Sequence, residues 1–126
     1  MPSAGNPGTI LLVDDDEAIR RFIRRILTEN GFDVVEASDG AKALEVASAY
    51  AGPIHLLLTD VIMPKMNGLA LAERLSQTRP DIRLLYMSGY VEQCLLLAKH
   101  PELTVLQKPF SPDALIMAIR QTLSFK

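Results

Sequence analysis

Five short apolar runs recur along the chain, each broken by turn-forming or polar residues and each followed by a stretch with helical spacing. Thr9 to Val13, Phe32 to Ala37, Ile54 to Thr59, Ile82 to Met87 and Leu103 to Gln107 are these runs. The first and third, short apolar segments bounded by breakers, read as buried strands, and Phe32 to Ala37 reads as a strand from its β-branched residues. After the first, Ile19, Phe22, Ile23, Ile26 and Leu27 fall on one helical stripe, which Asn30-Gly31 closes. Ser38-Asp39 caps a second helix running to about Ala51, with Ala43, Leu44 and Ala47 inward and Gly52-Pro53 as its stop. A third helix follows Gly68, turns Leu71, Ala72 and Leu75 inward, and ends before Pro80. A fourth covers about Val91 to Lys99; the last is capped by Ser111, starts at Pro112 and faces Leu115, Ile119 and Leu123 inward. Strands alternating with helices imply a parallel sheet with right-handed crossovers and helices on both faces. The fold class is therefore α/β, a doubly wound five-stranded parallel sheet.

Composition narrows the class without changing it. A chain of 126 residues is one domain by its length. Its net charge of −2 argues against a nucleic-acid or anionic-membrane binder. No apolar run approaches the roughly 18 residues of a membrane span. One cysteine, Cys94, excludes an internal disulfide and suits a reducing, cytoplasmic setting. Residues 1–8 contain two prolines and two glycines and read as a flexible lead-in or linker before a folded domain over 9–124. His55 and His100 lack metal-ligand spacing and a neighbouring nucleophile, so both read as structural.

The candidate chemistry lies where the strands end, since open α/β sheets bind ligands beyond the carboxyl ends of their strands. Asp14 and Asp15 follow the first strand, Asp60 the third, Ser88 the fourth and Lys108 the fifth. Carboxylates gathered in one crevice repel unless a cation shares the site. A hard divalent ion is the usual solution, and Mg²⁺ takes one or two carboxylates together with waters and phosphate oxygens. A lysine and a hydroxyl beside them suit the remaining phosphoryl oxygens, and an aspartate can itself attack phosphorus. Together these groups read as a phosphoryl-transfer site, with Asp16 as a helix cap.

Four stretches, Ile10 to Asp16, Asp60-Val61-Ile62-Met63-Pro64 with Asn67-Gly68, Met87-Ser88-Gly89 and Lys108-Pro109-Phe110, resemble the signature motifs of response-regulator receiver domains. They occur in the family's order over about residues 9 to 124. The resemblance implies a flavodoxin-like strand order, 2-1-3-4-5. It implies Asp60 as phospho-acceptor from a partner phosphohistidine, on a histidine kinase or a histidine phosphotransfer domain. Asp15, Asp60 and the backbone carbonyl of Ile62 would hold Mg²⁺ (or Mn²⁺), with Asp14 assisting through water. Ser88 would hydrogen-bond the phosphoryl group and reorient, and Lys108 would pair with its oxygens across a cis bond to Pro109. Such a module is a signalling switch that catalyses only its own phosphorylation and dephosphorylation.

The wording around Ser88 and Lys108 is most similar to receivers of hybrid histidine kinases, and a chain ending at Lys126 suits an excised module or a stand-alone receiver. The family's aromatic switch position holds Val105 here, and Ile62 and Tyr90 occupy positions that influence phosphoryl lifetime. Arg20, Arg21, Arg24 and Arg25 read as a solvated face or as a docking surface for an acidic partner. Cys94 to Leu97 reads as partly core, with a homodimer through an exposed patch shared with Val105 as the sharper reading. Two alternative functions stand beside the leading one. One is a binding-only pseudo-receiver; the other is a phosphatase with Asp14 as nucleophile and Asp16 as general acid, which leaves Asp60 without a role.

Overall fold

The computed structural model describes residues 8–124. In chain order the elements are β1 (Thr9–Val13), α1 (Glu17–Glu29), β2 (Asp33–Ala37), α2 (Gly40–Ala49) and β3 (Leu56–Asp60), followed by α3 (Gly68–Thr78), β4 (Arg83–Ser88), α4 (Tyr90–Lys99), β5 (Val105–Gln107) and α5 (Pro112–Ser124). The strands form one sheet in the order β2-β1-β3-β4-β5, and every pairing is parallel. This is the doubly wound, flavodoxin-like arrangement expected from the sequence.

Alternation along the strands divides the core in two. Ile10 and Leu12 of β1, Leu56 and Leu58 of β3, and Leu85 and Met87 of β4 pack on Ile23, Ile26 and Leu27 of α1 and on Leu115 and Ile119 of α5. Their neighbours Leu11, Val13, Leu57 and Tyr86 turn the other way, onto Ala43 and Ala47 of α2, Leu71 and Leu75 of α3, and Leu96 of α4. The carboxyl ends of β1, β3 and β4 line up in register, which gathers Asp14, Asp60 and Ser88 at one edge of the sheet.

The helix termini follow their capping chemistry. The Asp16 carboxylate accepts from the N–H groups of Ala18 and Ile19, Asp39 from Lys42, and Asn67 from Ala70. The Ser111 hydroxyl accepts from the Ala114 N–H at 3.1 Å. After α1 the chain reverses through Gly31, whose φ of 89° is readily adopted only by glycine.

Several local expectations are corrected. β5 is shorter than the apolar run that suggested it, because Leu103 closes a turn onto the His100 carbonyl and only residues 105–107 pair with β4. Conversely β3 extends through Asp60, whose successor Val61 donates to the Met87 carbonyl. Phe22 belongs to the helical stripe by spacing, yet it is 49% exposed beside Lys108, Pro109 and Phe110. On α4, Leu96 is buried while Tyr90, Val91 and Leu95 are exposed, so that helix is apolar well beyond its core face. His55 is structural, its Nδ1 accepting from the Thr9 N–H at 2.9 Å. Of the lead-in read over residues 1–8, residues 1–7 lie outside the described residues; Gly8 is buried and its carbonyl accepts from the Asp33 N–H.

Candidate functional site

Asp60 reaches the site as the last residue of central strand β3, at the carboxyl edge of the sheet. Its side chain is 14% exposed, and Lys108 comes to it from the other side of β4. The Lys108 N–H donates to the Ser88 carbonyl at 2.8 Å, which fixes the start of the segment after β5. The Lys108–Pro109 bond is cis, as the sequence motif implied. From there the Lys108 ammonium donates to Asp14 Oδ2 at 2.9 Å and to Asp60 Oδ2 at 3.1 Å. Three segments widely separated in the chain are thus joined through one nitrogen.

Asp14 is wholly buried and held at every polar group. Its N–H donates to the Ala37 carbonyl, its Oδ1 accepts from the Asp16 N–H at 2.9 Å, its Oδ2 accepts from Lys108, and its carbonyl accepts from Arg20 Nη1 at 2.8 Å. Asp15 differs in each respect. Its carboxylate is exposed and has no hydrogen-bond or ion-pair partner among the described residues. One oxygen from each of Asp14, Asp15 and Asp60 lies within 4.8 Å of the others.

The charges at this crevice do not balance. Three carboxylates face one ammonium, leaving two negative charges. Burial raises the Asp60 pKa above its ordinary value, and the Asp14 charge adds to the rise; Lys108 and the Ile62 N–H act in the opposite sense without cancelling it. Burial works against the Lys108 ammonium, but its hydrogen bond to Asp14 and the Asp60 charge outweigh this and hold its pKa above the usual lysine value. A set of hard oxygens, net negative and with one carboxylate free, fits a hard divalent cation such as Mg²⁺.

Ser88 is buried at the end of β4, one residue past the partner of Asp60, and its hydroxyl donates to the Gly89 carbonyl at 3.3 Å rather than to the acids. Ile62 is 60% exposed and meets Asp60 through its backbone N–H. Val105 is half-buried and pairs directly with Tyr86, which is buried; burial and nearby Glu102 raise the Tyr86 pKa. Tyr90 stands out in solvent at the start of α4.

Sequence reading missed the supporting roles of three residues. Thr59, read as part of an apolar run, is buried and donates to the Asp60 carbonyl at 3.0 Å. Gly68 lies so close beneath β3 that a Cβ there would stand 2.5 Å from the Asp60 carbonyl oxygen. Arg20, grouped with a solvated arginine face, is instead tied inward to Asp14 and to Glu36 on β2, with its side chain only 17% exposed. A charged residue inside a β-branched strand was the available signal for Glu36.

A five-stranded flavodoxin-like sheet with an aspartate at the end of its third strand, bridged by lysine to an acid pair after the first, defines the receiver class of α/β domain. The sequence pattern of the response regulator receiver domain matches residues 10–120, and the chain belongs to that family. The sensor kinase CckA of Brucella abortus is 36% identical over 117 residues, covering 91% of this chain but 12% of its own length. The response regulator receiver protein CpdR of the same organism is 34% identical over 120 residues, covering 90% of this chain and 95% of its own. The crystal structure of the receiver domain from the hybrid histidine kinase CckA superposes with a TM-score of 0.79 at 34% identity, covering 93% of this chain and all of that domain. Among the described residues no helix is long and apolar enough to cross a membrane.

Proposed function

We propose that residues 9–124 form a phospho-acceptor receiver in which Asp60 takes a phosphoryl group from a phosphohistidine on a histidine kinase or histidine phosphotransfer domain. The observation that carries this reading is the Lys108 ammonium held between Asp60 and Asp14, with the free Asp15 carboxylate alongside. An ionised Asp60 oxygen attacks phosphorus, the phosphorus–nitrogen bond breaks, and its electron pair returns to the departing imidazole. Lys108 is already at the carboxylate that receives the group and moves onto the incoming phosphoryl oxygens. The Ser88 hydroxyl, bonded weakly to Gly89, is free to turn toward the same oxygens. Asp15, Asp60 and the Ile62 carbonyl would hold Mg²⁺, with Asp14 supporting through water; when bound, the ion neutralises charge on the acids and on the transferred group.

The likeness to CckA supports an origin in a hybrid histidine kinase, and the likeness to CpdR, which this chain matches over 95% of its length, supports a stand-alone receiver. The lone cysteine suits the cytoplasm. Exposed Tyr90, Val91 and Leu95 on α4 suit association of two copies, which sedimentation measures. Phosphatase chemistry at Asp14 is disfavoured, because that residue is 0% exposed and Asp16 is committed to capping α1.

The test supplies a phosphorylated histidine phosphotransfer domain as donor, with Mg²⁺ or with a chelator. Transfer to this chain is expected with Mg²⁺ and is expected to fall on the order of a hundredfold without it. A donor that stays phosphorylated in both conditions overturns the reading.

A further inference from the structure

Asp15 poses a structural question: it has no side-chain partner among the described residues, yet it must point at the crevice if it is to bind a cation. Its direction is set by the peptide plane joining Asp14 to Asp15. That plane carries the Asp14 carbonyl, and a planar peptide turns as one body. Arg20 Nη1 donates to this carbonyl at 2.8 Å. The guanidinium is itself clamped, because its Nε pairs with Glu36 Oε1 at 3.4 Å, and Glu36 also pairs with Arg24 at 3.1 Å. Glu36 belongs to β2, whose register with β1 is fixed by the sheet.

We infer that Arg20, seated by Glu36, is a positioning residue that holds the Asp14–Asp15 peptide so that Asp15 is preset for the divalent cation. The inference rests on the acceptor reading above and adds to it a support from a neighbouring strand. Partners of this outer kind typically change metal affinity ten- to a hundredfold when removed.

Electrostatics gives the test its sign. Arg20 is a cation beside a cation site, so deleting it relieves repulsion and, on charge alone, tightens Mg²⁺ binding. Positioning predicts the opposite. The measurement is the Mg²⁺ dissociation constant by titration calorimetry, on protein verified as folded by circular dichroism, with rates of acyl-phosphate labelling at low and saturating Mg²⁺. R20A is expected to bind Mg²⁺ on the order of tenfold more weakly. Its labelling rate is expected to recover toward wild type once Mg²⁺ saturates, which a general loss of structure does not give. R20K keeps the charge but loses the planar fork, so it falls between the two. Adding E36Q to R20A changes nothing further, since the link is already broken. R20A binding as tightly as wild type, or more tightly, overturns the inference; if R20A does not fold, R20K equal to wild type does so. Wild type that binds no Mg²⁺ is a different outcome, which overturns the acceptor reading and this inference with it.

Discussion

Replacing Lys108 by methionine is expected to slow phosphoryl acceptance on Asp60 by on the order of a hundred- to a thousandfold, the usual effect of losing one preorganised charge-stabilising donor. Methionine keeps most of the unbranched stem, so the change isolates the ammonium, which lies 3.1 Å from Asp60 and 2.9 Å from Asp14. The rate is read as the time course of label from an acyl phosphate at saturating Mg²⁺. Stability falls as well. Asp14 is 0% exposed, and an uncompensated buried carboxylate costs about 3 kcal/mol. Chemical denaturation at neutral pH without metal measures that loss.

The pH dependence follows from the direction of each shift. The Lys108 pKa is raised above 10.5, so its contribution to stability is fully present below that value and is lost as pH rises through the folded value. Wild type is therefore expected to lose stability in that alkaline window, whereas K108M lacks this component. Asp60 has the opposite sign. Its folded pKa is raised above 3.8, so its ionised form is a cost to folding at neutral pH that disappears on acidification.

Gly68→Ala is the second large effect, and it acts through backbone. A Cβ at this first residue of α3 would stand 2.5 Å from the Asp60 carbonyl oxygen, 3.1 Å from Thr59 Cγ2 and 3.2 Å from Val61 Cα. Two of these three atoms are main chain, of the acceptor itself and of the residue that follows it, so no rotamer change relieves the contact. A destabilisation of about 3 kcal/mol is expected, at the upper end for overpacking. Asp60 is displaced with it, and labelling slows even in the folded fraction. Gly40→Ala is the comparison, with a smaller loss expected: its contacts are all Met66 side chain, the sulfur at 2.7 Å being free to move aside while Cβ at 3.0 Å and Cγ at 3.1 Å give less. Thermal unfolding of the two variants separates a rigid contact from a yielding one.

Much of this architecture was legible in the pattern of apolar runs. All ten elements occur in the expected order with ends shifted by one or two residues, and Leu71, Ala72 and Leu75 or Leu115 and Ile119 are buried as their spacing required. Strand order was not legible from periodicity, because parallel strands joined by helices admit many orders; it came from motifs whose family has one. The site was legible as a set of strand-end residues, but the contacts within it were not. Lys108 meets Asp14 across a separation of 94 residues, and only β3 and β4 lying between β1 and β5 determines how far its side chain must reach. Phe22 shows the limit of a helical stripe: it shares the spacing of Ile23 and Ile26, yet its ring is 49% exposed beside Lys108, Pro109 and Phe110. Arg20 shows the converse, a charge in an arginine-rich run whose position on the helix brings it onto the Asp14 carbonyl. Thr59 was hidden by its apolar neighbours, although its hydroxyl bonds the acceptor's own carbonyl.

The most direct measurement is intact mass after incubation with Mg²⁺ and a small acyl phosphate, on wild type and on Asp60→Asn. The variant is a fair control, because removing the ionised form of Asp60 relieves a folding cost at neutral pH. The account predicts the gain of one phosphoryl group on wild type and none on Asp60→Asn. An equal gain on both, or no gain on wild type even with a phosphorylated histidine kinase as donor, would contradict it.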